Sequence, residues 1–397
     1  MDFRLSPAEE AFRSDVRGWL RANLPDGSGT GAYREPDTAE ERIAASKAWQ
    51  ATLYRGGWAG ITWPRAYGGR GATLVEQLIF NEECAAANAP DSINLAVALG
   101  LVGPTLMACG TAEQQARFLP RILGGDDIWC QGFSEPNAGS DLAGLKTRGD
   151  VEGDAIVVTG QKIWTSFAQY ADWCILVVRT DARAARKHDG LSFLLVDMRS
   201  PGITIRPLVE MTGEAWFNEV FFDAVRVPRA NVVGAIDRGW DVVLTTLAHE
   251  RGGAAPHARL RRELQGLLRL AQRTGHGGAA AAHDPAIRQR LAQLAVEVQL
   301  ARLTAYRNVS VIQRTGKPGP EGSILKLFWS ELEQRLMDTA CEILGPHAVL
   351  ARGDACAADD GLWARELLWT RSATIYAGTS EVQRNIIAQR VLGLPRQ

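Results

Sequence analysis

Four short stretches hold the residues whose types and spacing could do chemistry. Gln131-Gly132-Phe133-Ser134-Glu135-Pro136-Asn137-Ala138-Gly139-Ser140-Asp141 concentrates small residues and hydroxyls. Such a loop lets backbone N–H groups approach the carbonyls or phosphates of a ligand; without a ligand it reads as a turn in which Asp141 caps the next segment. Gln161-Lys162-Ile163-Trp164-Thr165-Ser166 sets an indole before two hydroxyls, although a tryptophan in a strand is ordinarily core. Ile375-Tyr376-Ala377-Gly378-Thr379-Ser380-Glu381 places a Gly-Thr-Ser turn before a helix, which as an N-cap needs no function. Finally, Val243, Leu247, Glu250 and Ala254 step by four, three and four residues, which puts Glu250 on the apolar stripe of a helix. A carboxylate there is either half of a buried ion pair or a general base whose pKa burial raises toward working pH.

Other chemistries are excluded. There is no G-x-x-x-x-G-K-[ST] phosphate loop, G-x-S-x-G elbow or H-E-x-x-H helix, and Gly69-Arg70-Gly71 lacks both a third glycine and a preceding strand. A nucleotide cofactor must therefore be held another way. The six cysteines are scattered, with no C-x-x-C pair and no Cys/His cluster at metal-ligand spacing, so they read as reduced packing residues and no metal site is expected. A net charge of -1, from 44 basic and 45 acidic residues, removes the field that would gather nucleic acid or an anionic membrane surface. The start, Met1-Asp2-Phe3-Arg4-Leu5-Ser6-Pro7, does not read as a signal peptide, and no apolar run reaches the roughly 18 residues of a membrane span. A cytoplasmic enzyme is the expectation.

The elements that must position these stretches fall into three zones. Residues 1–126 read as helical: Ser6-Pro7-Ala8-Glu9 supplies an N-cap, a proline at the first helical position and an acidic first turn, and Phe12, Val16 and Leu20 come after it at helical spacing. Further helices are expected over Glu40–Tyr54, Thr73–Ala87 and Thr111–Ile122, around a Gly/Pro-rich region from Gly57 to Gly71. Residues 127–235 change to strand character at Ala155–Thr159, Trp173–Arg179, Leu191–Asp197, Ile203–Leu208 and Glu219–Val227, a compact β domain of the small barrel or sandwich kind. Over residues 236–397 helices return at Asp237–Gly252, Pro256–Thr274, Pro285–Thr315, Pro320–Leu344 and Ser380–Leu392, with Gly275–Ala282 as a flexible connection. Helices, sheet, helices predicts an α+β protein with a central β domain.

Taken in order, these stretches resemble the acyl-CoA dehydrogenase family. The similarity runs through Gly57-Trp58, Pro64 and Tyr67-Gly68-Gly69, then Ser134-Glu135-Pro136 and Ala138-Gly139-Ser140-Asp141, then Lys162-Ile163-Trp164-Thr165-Ser166, Val225-Arg226-Val227-Pro228 and Gly378-Thr379-Ser380. The resemblance implies an N-terminal helical domain, a middle β domain and a C-terminal four-helix bundle, with FAD between sheet and bundle. It implies that Ser134 and Ser166 hydrogen-bond the flavin ring, in loops that also carry Gln131 and Thr165, while Trp164 packs on the ring edge. Ser140 would lie between flavin and the acyl-CoA thioester, and Thr379 and Glu381 at the nucleotide end. The family's phosphate-binding Arg-Phe is only partly echoed by Arg273-Thr274-Gly275, and its Gln with paired glycines appears as Glu342-Ile343-Leu344-Gly345-Pro346. Arg273 and Gly345 would serve a neighbouring subunit, which implies a homo-dimer or tetramer, or a heterotetramer with a related subunit.

The family's reaction removes the α-proton of an acyl thioester with a base while the β-hydrogen passes to the flavin, and an electron-transfer flavoprotein takes the electrons. Many members carry the base as glutamate in a Tyr-Glu-Gly-Thr turn, but here the turn reads Tyr376-Ala377-Gly378-Thr379. The family's second location, a Glu-Arg pair on the first long helix of the C-terminal domain, matches Glu250-Arg251. The resemblance thus makes Glu250 the base and sets Arg251 beside CoA or acyl chain; Ala377 and Gly378 remain substrate contacts through their backbone. His249 reads as a surface residue or one behind the site. The space left at Ala377, with the apolar stretch Ile93–Gly103 and its small Ala96, Ala98, Gly100 and Gly103, predicts a bulky or 2-methyl-branched acyl group. Two rivals are a non-catalytic subunit of a heteromer and a flavin oxidase or monooxygenase on the same fold.

Overall fold

The structure, a computed structural model, describes residues 4–25, 36, 38–90, 95–253, 256–276, 279–316 and 318–395, with the backbone alone for 250–253 and 276. The N-terminal helices are α1 (Pro7–Asn23), α2 (Ala39–Arg55), α3 (Leu74–Ala86), α4 (Gly103–Cys109) and α5 (Ala112–Gly124). Local chemistry sets their ends: Thr38 with Glu41, and Thr111 with Gln114, form reciprocal capping boxes, and α5 stops at a left-handed Gly125. The chain packs as two compact units, one of Asn23–Thr73 with Ala89–Gly253, the other of Met1–Ala22, Leu74–Asn88 and Ala254–Gln397. Helices α1 and α3 thus belong to the body built by the C-terminal residues.

In the first unit the strands are β1 (Trp129–Gly132), β2 (Arg148–Glu152), β3 (Ala155–Lys162), β4 (Trp173–Arg179), β5 (Leu191–Asp197), β6 (Ile203–Leu208), β7 (Phe217–Pro228) and β8 (Val232–Val233). They form one sheet in the order β6-β7-β3-β2-β4-β5-β8, with β1 beside β4 in parallel. The five expected strands are present. β1, β2 and β8 were not expected, because β2 reads Arg-Gly-Asp-Val-Glu without apolar alternation and the other two have four and two residues. Cys130, Ile156, Val158, Cys174, Leu176, Leu194, Phe222 and Val225 belong to its core, and all six cysteines are free thiols. Helix α6 (Gly239–Gly253) packs on β5 and α4.

The second unit contains α7 (Pro256–Arg273), α8 (Pro285–Thr315), α9 (Gly322–Leu344), α10 (Leu362–Trp369) and α11 (Ser380–Ile386). Leu260, Leu264, Leu267 and Leu270 line the inner face of α7 at steps of four, three and three, against Leu294, Leu336 and Ile343. Two expectations are corrected. Gly275–Ala282 is no flexible connection: β9 (Gly275–His276) pairs antiparallel with β10 (Ala279–Ala280), and a turn of helix comes next over Ala281–His283; the two residues between the strands lie outside the described ones. The last helix does not run regularly to Leu392, because a wide π-type turn occupies Ile387–Val391.

Adjacent glutamates fasten α3 inside this unit. Glu82 accepts from Arg302 Nε at 2.9 Å and Tyr306 Oη at 3.2 Å, with His257 Nε2 at 3.2 Å and Arg13 at 3.4 Å. Glu83 takes Arg17 through two bonds of 2.6 and 3.0 Å. Burial pushes the Glu82 carboxyl up, but hydrogen bonds from His257 and Arg302 outweigh it and bring the pKa down to about 2. The stability this supplies is complete above the ordinary value of 4.5 and is lost as pH falls toward about 2. Glu82→Gln is therefore expected to lower the urea midpoint at pH 7, by a deficit that is smaller at pH 3. Equal wild-type–variant gaps at both pH values would contradict this.

Candidate active site

Strands β1 and β3 deliver the two hydroxyl-bearing loops side by side. A Cβ on Gly132 would come within 2.7 Å of Leu176 and 3.0 Å of Cys174, so only glycine lets the first loop leave the sheet there. Lys162, wholly buried at the end of β3, donates to Phe133 O at 3.1 Å and to Glu135 Oε1 at 2.9 Å. Glu135 in turn accepts from Lys146 N at 2.6 Å and Thr147 N at 2.8 Å, and Ile163 N donates to Ser134 O at 2.9 Å. Burial pushes the Lys162 ammonium pKa down, opposed by Glu135; the Glu135 carboxyl, pushed up by burial, is held below its ordinary value by Lys162. This clamp was not singled out from the sequence. Its signal was a lysine closing a strand beside the Ser-Glu-Pro of the facing loop.

Beyond Lys162 the backbone turns left-handed at Trp164 (φ 59°) and Phe167 (φ 57°). Thr165 N donates to Asn218 O at 3.1 Å, Asn218 Nδ2 returns a bond to Thr165 O at 3.0 Å, and Phe167 N donates to Trp216 O at 2.8 Å. The core reading of Trp164 is overturned. β3 ends at Lys162, so Trp164 leaves the strand alternation; it is 58% exposed and set edge-on to Phe217 at 6.0 Å. Ser134, Ser166 and Gln131 are half-buried and Ser140 is exposed. Thr165 Oγ1 is buried with no hydrogen-bond partner, an orphan that asks for a ligand group. Asp141 does not cap the next segment; its carboxylate pairs with Lys187 at 2.6 Å.

On α6, Val242, Val243 and Thr246 are buried, and Thr246 Oγ1 lies 2.8 Å from Thr105 Oγ1 of α4. Glu250 and Arg251 occupy the end of this helix, Glu250 one turn past Thr246; their side chains lie outside the described residues. Of the stretch expected to line the acyl pocket, residues 93 and 94 also lie outside them. Ala98–Val102 forms a π-helical turn, a form frequent at functional sites. Ala96 and Gly100, four apart, are exposed, while Leu95, Ala98, Leu101 and Val102 are buried. Gly103 is small for another reason than pocket space: a Cβ there would collide with the Trp63 ring.

In the second unit, Ala377 (φ 53°) and Gly378 (φ 87°) are consecutive left-handed residues. Gln383 Nε2 donates to Ala377 O at 2.9 Å and Gly378 O at 3.3 Å, and Thr379 caps α11 by accepting from Val382 N at 3.2 Å. Glu381 is exposed in the first turn of that helix. Arg273 is already engaged: it pairs with Asp359, which also accepts from Trp363 Nε1 at 2.7 Å. Burial pushes Asp359 up, but these two bonds hold its pKa below the ordinary value. Gly345 ends α9 at φ 57°, and Glu342, where the family has glutamine, pairs with Arg290.

A helical N-terminal part, an eight-stranded sheet with two clamped hydroxyl-bearing loops and a helical C-terminal part make up the three-part architecture of a flavoprotein oxidoreductase class. The chain belongs to the acyl-CoA dehydrogenase family: models of its N-terminal, middle and C-terminal domains match residues 6–126, 130–225 and 237–392. It is 43% identical over 401 residues to "Acyl-CoA dehydrogenase IpdE1" of Mycobacterium tuberculosis, with 98% of each chain covered. Among solved structures it is similar to the ChsE4-ChsE5 complex from Mycobacterium tuberculosis, at 34% identity, TM-score 0.84 and 100% coverage of both chains. It is also similar to the Tcur3481-Tcur3483 steroid ACAD, at 31% identity, TM-score 0.85 and 100% coverage of both chains. The expected three-part fold and FAD cofactor hold for this enzyme. Among the described residues no helix is long and apolar enough to cross a membrane, and no His/Cys/Asp/Glu group could hold a metal.

The clamp yields a test. Lys162→Met leaves the buried Glu135 carboxylate without its cation, a change that costs about 3–5 kcal/mol. The variant is expected to melt lower and to retain less FAD after gel filtration, and Lys162→Met with Glu135→Leu to regain melting temperature without regaining FAD. Melting and FAD content equal to wild type in the single variant would show that the clamp holds neither.

Proposed function

We propose that the enzyme catalyses α,β-dehydrogenation of an acyl-CoA thioester to the 2-enoyl-CoA, with Glu250 as the base and an electron-transfer flavoprotein as electron acceptor. One observation carries this reading: the left-handed turn holds Ala377, which cannot accept a proton, while α6 ends in a Glu-Arg pair. FAD, when bound, supplies the acceptor for the β-hydrogen. Gln131, Ser134, Thr165 and Ser166 hold it, with Trp164 against its edge and Thr379 and Glu381 toward its nucleotide end; the orphaned Thr165 hydroxyl supports that fit. The chain's own groups act on the substrate. Glu250 takes the α-proton, Ala377 and Gly378 offer backbone N–H groups to the carbonyl where negative charge develops, and Arg251 and Ser140 contact the thioester and CoA. Residues 1–126, 127–235 and 236–397 are the functional parts, and six free cysteines favour a cytoplasmic setting.

For the acyl group we propose a ring-bearing or 2-methyl-branched chain. Two features support this reading: the small Ala96 and Gly100 are exposed on the stretch expected to line the acyl pocket, and one similar structure is described as a steroid ACAD. Two similar structures carry two chain names each. With Arg273 and Glu342 engaged by Asp359 and Arg290, this favours assembly with a related second subunit.

Purified enzyme is expected to release FAD on denaturation and to bleach anaerobically with ring-bearing or 2-methyl-branched acyl-CoA at a higher kcat/KM than with butyryl-CoA. Glu250→Gln should keep FAD and slow bleaching by at least about 10²- to 10⁴-fold. Undiminished bleaching in that variant moves the base elsewhere, and butyryl-CoA as best substrate ends the bulky-acyl reading.

A further inference from the structure

A polar cluster in the C-terminal unit, built on the buried Glu333 and the half-buried Arg259 and Glu263, lies beside the residue preceding the Ala377-Gly378 turn. Arg259 and Glu263 on α7 and Glu333 on α9 converge on Tyr376, which is exposed at its ring and has Arg259 as the partner of its hydroxyl, and Glu366 on α10 adds a further charge near Arg259 and Glu263. Arg259 pairs with Glu333 and lies 3.5 Å from Glu263 Oε1. Trp329 flanks both, with its ring centre 5.8 Å from the guanidinium and 6.3 Å from the Tyr376 ring. Lys326, also buried, donates to Ala373 O at 3.0 Å and lies 6.0 Å from the same tyrosine ring. Buried ion clusters contribute little net stability compared with apolar packing of the same volume, so stability alone does not account for this one.

The strain beside it suggests what the cluster does. A left-handed alanine costs about 1–3 kcal/mol and persists only where its surroundings over-determine it. On the C-terminal side Gln383 and the Thr379 cap hold the Ala377-Gly378 turn. On the N-terminal side it is held through Tyr376, whose N–H donates to Ser372 O at 3.1 Å and whose ring lies 6.3 Å from Trp329 and 6.0 Å from Lys326 Nζ, with Arg259 beside its hydroxyl. We propose that Arg259, with Glu263 and Glu333, is a positioning device that anchors Tyr376 and thereby keeps the Ala377-Gly378 backbone in the geometry that receives the thioester carbonyl. The proposal rests on that turn being the thioester contact of the dehydrogenation proposed for this enzyme.

The charge state of the cluster adds a handle. Burial pushes Glu263 up to about 8; Arg259 and Arg262 on its own helix oppose this, while Glu333 and Glu366 from the facing helices reinforce it. It is neutral below about pH 8 and ionised above, where the new charge draws Arg259 from Tyr376.

The test uses FAD-loaded enzyme, with any co-purifying subunit, in wild-type, Tyr376→Phe, Glu333→Gln, double-variant and Glu263→Gln forms. All are near-isosteric. Two quantities are read: kcat and KM for the best acyl-CoA, and the red shift of bound 3-indoleacryloyl-CoA, whose absorption follows carbonyl polarisation. Each of the first two variants is expected to lose about ten- to a hundredfold in kcat with KM within about twofold, and to show a smaller red shift. The double variant should be no worse than the weaker single one. Wild-type kcat and red shift should fall above about pH 8, and Glu263→Gln should abolish that fall. Wild-type red shift and kcat per FAD in Tyr376→Phe and Glu333→Gln, even with a lowered melting temperature, would leave the cluster a structural role and overturn the proposal. Absence of both reduction and red shift in wild type would instead overturn the thioester reading, and the proposal with it.

Discussion

The buried Lys162–Glu135 pair is the interaction on which the rest of the sheet-side site depends. A fully enclosed ammonium and a nearly enclosed carboxylate tolerate burial only because each has its partner and further hydrogen bonds: Phe133 O for the lysine, Lys146 N and Thr147 N for the glutamate. That requirement draws the end of β3, the loop after β1 and the start of β2 into one place. The clamp fixes where the loop of Ser134 meets the end of β3, and Asn218 and Trp216 hold the loop of Thr165 and Ser166 that continues from it.

Strain and its containment recur in the loop after β3 and in the turn before α11. Trp164, Phe167 and Ala377 adopt left-handed conformations that cost residues other than glycine free energy. Each is held from outside its own segment: Phe167 by Trp216 O, the residue after Trp164 by Asn218, and Ala377 by Gln383. The exposure of Trp164 comes from the same geometry, since a residue that leaves the pleat no longer points to either face of the sheet.

The glutamates of α3 work differently. Glu82 and Glu83 are adjacent in sequence, yet Glu82 is satisfied by α7 and α8 with Arg13 of α1, and Glu83 by α1. Their energy goes into joining α3 to α1, across 66 residues, and to α7 and α8, across 175 and 220, which makes α1 and α3 part of the body formed by the C-terminal helices. An apolar stripe alone would let such helices slide; paired charges set their register.

Local chemistry in the sequence determined the helices with clear caps, the five strands with regular apolar character and the Gly-Thr-Ser cap of α11, because each depends on neighbours within a few residues. The loops with hydroxyls and the Glu-Arg pair of α6 were legible as well, since motif order carries that information. Only the tertiary structure decided that β2, with Val151 as its one large apolar side chain, is a central strand, that Gly103 is small because Trp63 lies against it, and that Arg273 is already paired with Asp359. It also decided that Arg259, Glu263 and Glu333 meet beneath Tyr376. The reason is common to all four: hydrogen-bond pairing, steric contact and the energy of a buried charge depend on which distant segment lies alongside, and no spacing within one segment encodes that.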